Sequence, residues 1–223
     1  GPFSADKAVP PEVMKALEAQ YKLDQPLWQQ YVGYLNDVLH GDFGPSFKYP
    51  GRTVNELIAS GLPATAELAF YAMLVALFIG ASAGVVAATR PNTLQDYLPM
   101  SAAMLGICMP SFLLGPLLVL VFGIHLEWVP VSGWGDSAGD KILPAITLGT
   151  GYAAYIARLS RGGMLEVLSQ DYIRTARAKG LPESLIIAKH ALRGGLIPVI
   201  AFIGPAFAGL LGGSFVVETI FQI

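Results

Sequence analysis

The chain has 223 residues, of which 53% are hydrophobic and 13% are charged, whereas an average soluble domain carries roughly 25% charged residues. This composition excludes a disordered protein and a disulfide-rich scaffold, because the first needs polarity and the second needs many cysteines, while this chain has one, Cys108. The formal net charge of −2 provides no basic excess for binding a polyanion, so we expect no nucleic-acid partner.

Residues 1–63 predict a small external helical region. Apolar residues at helical spacing run through 27–39, with Asp24 as a candidate N-cap and Gly41 as the residue that follows the helix. An earlier helix is expected to begin at Pro11. Because sixty residues bury little core by themselves, we expect this region to pack against the rest of the same protein rather than form a separate binding domain.

A short segment then leads towards the apolar part of the chain. Thr53-Val54-Asn55-Glu56 has the spacing of a capping box, in which a threonine and a glutamate satisfy each other's backbone N–H groups. We expect it to open a short amphipathic helix that ends before Pro63.

Four long stretches without Asp, Glu, Lys or Arg predict membrane-spanning helices. They are residues 68–89, 97–124, 142–157 and 194–217. A hydrocarbon core of ~30 Å requires about 20 helical residues; only the third stretch falls short, and it lengthens if Arg158 reaches the headgroups. The alternative, a soluble protein with buried helices, is disfavoured because soluble helices are seldom apolar all round.

The predicted fold is therefore an all-α membrane protein, a polytopic helical bundle with a transmembrane domain over residues 64–223. Its helices are expected at about 64–89, 97–124, 142–160 and 194–217, because backbone groups in lipid must be hydrogen-bonded internally. A cytoplasmic loop is expected at about 161–193.

Charge in the loops predicts the orientation. The segment 158–193 is rich in arginine and lysine, whereas 125–141 has several acids and a single lysine; the first is expected inside and the second outside. Alternation then places residues 1–63 and the C-terminus outside. No apolar stretch precedes the external N-terminal region to carry it across the membrane. We therefore expect the chain to be the middle of a longer one that has a further helix at each end.

Small residues recur within the apolar stretches. Gly80-Ala81-Ser82-Ala83-Gly84 matches both a close-packing G-x-x-x-G pattern and the G-x-S-x-G of serine hydrolases. We favour packing, since a nucleophilic Ser82 needs a strand–turn–helix setting and a base, and no histidine lies in the apolar stretches. Similar helix-packing pairs are Gly204 with Ala208 and Gly209 with Gly213.

The chain lacks the signatures of its own energy source. No phosphate-binding G-x-x-x-x-G-K-[ST] motif occurs, its three histidines are isolated, and the apolar stretches contain no charge that would relay an ion or a proton. We expect no nucleotide or metal site in this chain, so that energy for any transport would have to come from another chain.

The basic loop predicts a two-helix element. Leu165, Leu168, Tyr172 and Ala176 form one helical stripe, with Ser169 as a possible cap and Asp171 at the helix start. Gly180 is a natural residue to follow that helix, and Pro182 suits the first turn of the next. A protruding basic element of this kind favours docking on another protein; the alternative is an ordinary cytoplasmic loop.

Residues Tyr172–Leu181 resemble the "EAA" loop of permease subunits in binding-protein-dependent ABC importers, most of all the dipeptide/oligopeptide/nickel branch. Arg174-Thr175-Ala176 stands where the general pattern has Glu-Ala-Ala, and Gly180 matches its glycine. Further matches cover nearly the whole chain: His40–Ser46, Leu62–Thr65, Pro110–Phe112, Leu143–Ala145 and His190–Leu192.

This resemblance implies the fold of a type I ABC importer permease, in a multi-pass protein of the bacterial cytoplasmic membrane. It implies a transport subunit rather than an enzyme, with a second homologous permease subunit, two ATPase subunits that bind ATP and Mg, an extracytoplasmic peptide-binding protein, the lipid bilayer and a peptide substrate as partners. Dipeptides or nickel are alternative substrates, and a channel that needs no ATPase is an alternative mechanism. The residues that would contact the ATPase are Arg174, Thr175, Ala176, Arg177, Ala178, Lys179, Gly180, Leu181 and Pro182.

Overall fold

The computed structural model describes residues 24–49, 51–135 and 137–223, which divide between Pro63 and Ala64 into two compact units. Regular structure in the described residues is helical, apart from one isolated bridge between Pro45 and Thr53. The predicted all-α fold is confirmed for these residues.

The helices are α1 (Leu27–Leu39), α2 (Val54–Thr89), α3 (Leu94–Cys108), α4 (Ser111–Leu118), α5 (Ile142–Leu168), α6 (Asp171–Ala178), α7 (Glu183–Leu185), α8 (Leu192–Gly195), α9 (Ile197–Gly213) and α10 (Phe215–Phe221). A π-helical segment, Val119–His125, continues α4, and another, Ile186–Ala191, joins α7 to α8. A 3-10 turn, Ala138–Lys141, precedes α5.

In the first unit, α1 ends as the sequence predicted. Gly41 adopts a left-handed φ of 80°, its N–H donates to Val38 O at 2.9 Å, and the next N–H donates to Asp37 O at 2.9 Å. These are the two hydrogen bonds of a Schellman motif. The predicted N-cap is wrong, because Pro26 rather than Asp24 holds that position. The helix expected from Pro11 lies outside the described residues.

The capping box is confirmed at the start of α2. Thr53 N–H donates to Glu56 Oε2 at 3.1 Å, and Glu56 N–H donates to Thr53 Oγ1 at 3.2 Å. The expected stop before Pro63 is wrong, since α2 continues through this proline to Thr89. Proline deprives only one carbonyl, that of Ala59, of its helical partner. Ala59 is exposed, so another polar group can satisfy this carbonyl.

The second predicted span is broken. Residues 97–124 were expected to form one helix, but α3 and the helix that begins at Ser111 meet at 106°. Met109 has extended backbone angles, φ −96° and ψ 111°, which is the conformation that a following proline imposes. Pro110 therefore ends one helix and becomes the N-cap of the next.

The other predicted spans also differ in their bounds. The third, 142–160, is part of α5, which runs on to Leu168, and the fourth, 194–217, is divided among α8, α9 and α10. By length and composition, α2 is one helix that can cross a membrane, and the described chain offers up to three spans if each bent pair is one span. The helix α5 is not among them.

The helix α5 lies at the centre of the second unit, where glycines bring other backbones against it. A β-carbon added at Gly149 would lie 2.5 Å from Ala72 O of α2, and one at Gly106 of α3 would lie 2.5 Å from Thr150 Cγ2. At its far end, a β-carbon at Gly163 would meet Gly195 O of α8. These contacts set the distances between α5 and three neighbours.

Two adjacent glycines of α5 test this packing. We expect Gly163→Ala to lower the free energy of unfolding by about 1–3 kcal/mol, because its methyl group would overlap Gly195. Gly162 has nothing within 4 Å, so we expect Gly162→Ala to be neutral or to stabilise by up to about 1 kcal/mol through helix propensity. Thermal unfolding of the purified protein in detergent measures both. Equal melting temperatures for the two variants would contradict the assigned contact.

Candidate functional site

The basic loop folds into two helices, α6 and α7, joined by a turn; we call residues 171–186, which include the first residue after α7, the elbow. It begins where α5 ends, and Ser169 Oγ donates back to Glu166 O at 2.7 Å. Gln170 is the N-cap of α6, in an extended conformation and without a side-chain cap bond, so Ser169 is not the cap that the sequence predicted. Asp171 lies in the first turn, where its negative charge favours the helix dipole.

The predicted apolar stripe is not on one helix. Leu165 and Leu168 belong to α5, whereas Tyr172 and Ala176 belong to α6, and the chain turns between the two helices at 169–170. Ile173 and Ala176 are the buried residues of α6. Tyr172 is exposed, and its hydroxyl donates to His190 O at 3.4 Å. The helical spacing of these four residues therefore continues across a helix boundary, which the spacing alone does not reveal.

The turn of the elbow is built on Gly180. This residue has a φ of 76°, a left-handed conformation that costs other residues roughly 1–2 kcal/mol. Gly180 N–H donates to Arg177 O at 2.9 Å and Leu181 N–H donates to Ala176 O at 3.3 Å, so α6 ends in a Schellman motif. The predicted helix end at Gly180 is confirmed.

The second helix of the elbow begins one residue later than predicted, because Pro182 precedes it. Pro182 is the N-cap of α7, with φ −66° and ψ 144°, rather than a residue of the first turn. Its carbonyl accepts hydrogen bonds from the N–H groups of Leu185 and Ile186 at 3.0 and 3.1 Å. The turn between α6 and α7 is therefore short and hydrogen-bonded on both sides.

An ion pair joins the two helices across this turn. Arg177 Nη2 donates to Glu183 Oε1 at 2.7 Å, and Arg177 Nε donates to Oε2 at 3.2 Å. The guanidinium holds the pKa of the Glu183 carboxyl below its usual range, and the carboxylate raises the pKa of Arg177. The side chains are 43% and 55% exposed, so solvent reduces the stabilisation to about 0.5 kcal/mol. The geometry of two parallel bonds nevertheless favours one angle between the helices.

The inner face of the elbow is apolar and closely packed. Its buried residues are Ile173, Ala176 and Ile186, which lie in one cluster with Ala88 of α2 and Met164 of α5; Leu181 is partly buried at its edge. The elbow thus shares a buried apolar cluster with the ends of two long helices.

The outer face of the elbow is exposed and carries most of the residues predicted to contact an ATPase. Seven of the nine are exposed: Arg174, Thr175, Arg177, Ala178, Lys179, Gly180 and Pro182. Ala176 is buried and Leu181 is half-buried. Arg174 is 72% exposed, with Asp171 at 3.5 Å. The structure therefore divides the predicted set into an outward basic surface and two residues that fix it from within.

The predicted helix-packing residues have different environments. A β-carbon at Gly80 would lie 2.8 Å from Ile156 Cβ, and one at Gly84 would lie 2.5 Å from Ser160 Cβ, so both glycines of α2 face α5. Gly209 lies against the Tyr152 hydroxyl. Gly204 and Gly213 have nothing within 4 Å, and Ala208 is exposed.

Ser82 lies within the uninterrupted helix α2, on an exposed position. A hydrolase nucleophile of the G-x-S-x-G type needs a sharp strand-to-helix turn, and this helix provides none at Ser82. In the part of the chain that the structure describes, no three His, Cys, Asp or Glu side chains are grouped to hold a metal ion.

The described residues define an α-helical membrane protein whose elbow presents a basic surface. Residues 80–223 match the family described as binding-protein-dependent transport system inner membrane component, and the chain belongs to this family. The resemblance identified from the elbow residues is thereby confirmed.

Curated relatives cover the whole chain. It is 51% identical to the oligopeptide transport system permease protein OppB of Salmonella typhimurium over 223 residues, which are 100% of this chain and 73% of that protein. It is 50% identical to OppB of Escherichia coli K12, with the same coverage. The dipeptide transport system permease protein DppB of Bacillus subtilis is 46% identical, over 100% of this chain and 72% of that protein.

A solved structure supports the fold. The crystal structure of an amino acid ABC transporter with histidines aligns with a TM-score of 0.53 over 84% of this chain and 76% of that chain, at 16% identity. At this identity the likeness concerns the fold alone. It agrees with the helical architecture inferred from the sequence.

The elbow ion pair predicts a measurable titration. We expect Arg177→Gln to raise the pKa of Glu183, because the variant removes the cation that lowers it. The contribution of the pair to stability is present above the ordinary carboxyl pKa and is lost as the pH falls through the lowered pKa. NMR of labelled glutamate carboxyl carbons in detergent follows this titration.

Arg174→Gln is the matched control, because the ion-pair partner of Arg174 is Asp171 rather than Glu183. It should leave the Glu183 titration in place. An unchanged Glu183 midpoint in Arg177→Gln would show that the two side chains are not paired.

Proposed function

We propose that this chain is the permease subunit of an ATP-driven importer that moves oligopeptides across the bacterial cytoplasmic membrane. It forms half of the translocation path, together with a second homologous permease subunit. An extracytoplasmic binding protein delivers the peptide, and two ATPase subunits, which bind ATP and Mg, drive the cycle. The chain itself crosses the membrane several times and acts as a transport subunit, not an enzyme.

The substrate class is supported by the names of the relatives. The chain matches oligopeptide permeases at 50–51% identity over its whole length, and dipeptide permeases at 46% and 43%. Peptides are common to both groups, and the higher identity favours the longer ones. Dipeptides are the second candidate on the same grounds.

The elbow carries the proposed coupling. Its outer face offers Arg174, Arg177 and Lys179 to a partner, whereas its inner face is seated on Ala88 and Met164. An ATPase that binds the outer face and moves on ATP-driven closure would displace the elbow as a rigid piece. Because closely packed apolar clusters transmit strain, α2 and α5 follow through the cluster that they share with the elbow. The residues of the elbow act here as mechanical contacts, with no chemical step.

Charge reversal on the outer face tests docking. We expect the double variant Arg174→Glu/Lys179→Glu to lose most copurification of the ATPase subunits and most ATP-dependent peptide uptake. Both side chains are exposed, so the fold should survive. Pull-down from membranes and uptake of a labelled oligopeptide into proteoliposomes measure the two effects.

Arg90→Glu is the matched control, since Arg90 is an exposed arginine outside the elbow. It should retain both activities. Normal ATPase binding by the elbow variant would refute the docking surface. Peptide flux through the permease pair without ATPases would instead favour a channel.

Membrane sidedness provides a second test. The free thiol of Cys108 is exposed, so a Cys108→Ser background is needed. In spheroplasts we expect an impermeant thiol reagent to label Ser132→Cys, in the segment predicted outside, and to spare Lys179→Cys until the membrane is opened. Labelling of Lys179→Cys in intact spheroplasts would place the elbow outside and exclude ATPase docking.

A further inference from the structure

A two-pronged ion pair links α3 to α5 close to the elbow. Arg161 Nε donates to Asp96 Oδ1 at 2.7 Å, and Arg161 Nη2 donates to Asp96 Oδ2 at 2.6 Å. Asp96 Oδ2 also accepts the N–H of Asn92 at 2.9 Å. The Asp96 side chain is 2% exposed and that of Arg161 is 29% exposed. Asp96 is therefore a buried carboxylate with three donors, two of them from one guanidinium.

The pair is one end of a longer contact between α3 and α5. Gly106 lies against Thr150, where an added β-carbon would be 2.8 Å from Thr150 O. From Asp96 to Gly106 the chain advances along α3, whereas from Arg161 to Thr150 it runs backwards along α5, so the helices are antiparallel. At ~1.5 Å per residue the two contacts are about 15 Å apart. At one end the two helices approach closely at Gly106 and Thr150, and at the other end the Asp96–Arg161 ion pair joins them.

The same point on α5 also meets α2. A β-carbon at Gly84 would lie 2.8 Å from Arg161 N and 2.5 Å from Ser160 Cβ. Three helices thus converge at Arg161. Met164, less than one turn further along α5, lies in the cluster beneath the elbow. Arg161 is consequently the polar contact that connects the seat of the elbow to α3.

We propose that Asp96 and Arg161 are a positioning pair that transmits displacement of the elbow from α5 to α3. This inference rests on the proposed function and adds a route for the movement within the chain. The helix α2 is moved directly by the elbow, through Ala88. The helix α3 meets α5 at Gly106 and, closer to the elbow, at the Asp96–Arg161 pair. The pair passes the movement to α3, which carries it towards the 106° bend before α4.

The choice of an ion pair is informative, because apolar packing would stabilise this junction at least as well. Buried ion pairs repay their desolvation poorly, and apolar replacements are often more stable. Two parallel hydrogen bonds from a planar guanidinium, however, fix both the distance and the rotation between two helices. Such a connection passes a small displacement of one helix to the other, because the distance and the rotation between them stay fixed.

The test compares peptide uptake with ATP hydrolysis in the complete transporter, reconstituted in proteoliposomes with both permease subunits, the ATPases and the binding protein. We expect Asp96→Asn to retain peptide-stimulated ATP hydrolysis but to lower the peptide taken up per ATP about fivefold or more, within the usual range of coupling between sites. Arg161 is partly exposed, so water can solvate its charge in this variant. A merely structural role would lower both activities in the same proportion.

Three further variants make the result specific. Arg161→Lys keeps the charge but loses the two-pronged geometry, so it should uncouple like Asp96→Asn, and it serves as the test if that variant does not fold. The double variant Asp96→Asn/Arg161→Gln should be no worse than either single variant, since the residues act as a unit. Glu67→Gln, which alters the ion pair with Lys141, is the control and should keep the ratio of the original protein.

The outcomes separate the two proposals. An unchanged ratio of uptake to hydrolysis in Asp96→Asn and in Arg161→Lys, with the original complex active, would overturn the positioning role alone. An original complex that shows no ATP-dependent peptide uptake would overturn the proposed function and, with it, this inference. A reduced ratio in Glu67→Gln as well would show that any lost ion pair uncouples the transporter, which also contradicts a special role for Asp96 and Arg161.

Discussion

The close approach of backbones to α5 is the constraint on which the second unit depends. Gly80 and Gly84 of α2 and Gly106 of α3 each remove a side chain where another helix passes, and Gly149 and Gly163 do the same on α5 itself. Between apolar helices in lipid there is little hydrophobic drive, so contact area has to come from such close packing. A helix held in this way on several faces moves only with its neighbours, which gives α5 its central mechanical position.

The elbow shows how little sequence is needed to fix a surface. Gly180 provides the left-handed residue, Pro182 the cap of the next helix, and Ile173 and Ile186 the anchors below. Each of these residues acts on the backbone or the core, and among the exposed residues between them Arg177 also favours one angle between the helices through its pair with Glu183. Arg174 stands where the general family pattern has an acidic residue, and it is exposed and takes no part in the hydrogen bonds of the turn.

The features that were predicted correctly from the sequence depend on residues that are adjacent in the chain. The Schellman ends at Gly41 and Gly180 and the capping box at Thr53 follow from local backbone chemistry, and the structure has all three. Features that depend on distant residues were missed. Pro110 indicates a break in the helix but not its angle of 106°. The stripe from Leu165 to Ala176 crosses a helix boundary that the spacing does not reveal. The pairing of Asp96 with Arg161 was not predicted, because the two residues are 65 positions apart in the chain and no local pattern connects them.

The polar contacts between helices of the second unit that follow lie near the two ends of α5. Asp96 pairs with Arg161 near the elbow, whereas Lys141 pairs with Glu67 and Thr65 bonds to Glu218 at the opposite end of α5. Between these two levels α5 meets α2 and α3 at close glycine contacts, with Gly80 against Ile156 and Gly106 against Thr150. Charged pairs near both ends and close packing between them hold α2, α3 and α5 together along their length. This distribution favours three helices that move together, which the transmission of movement proposed above requires.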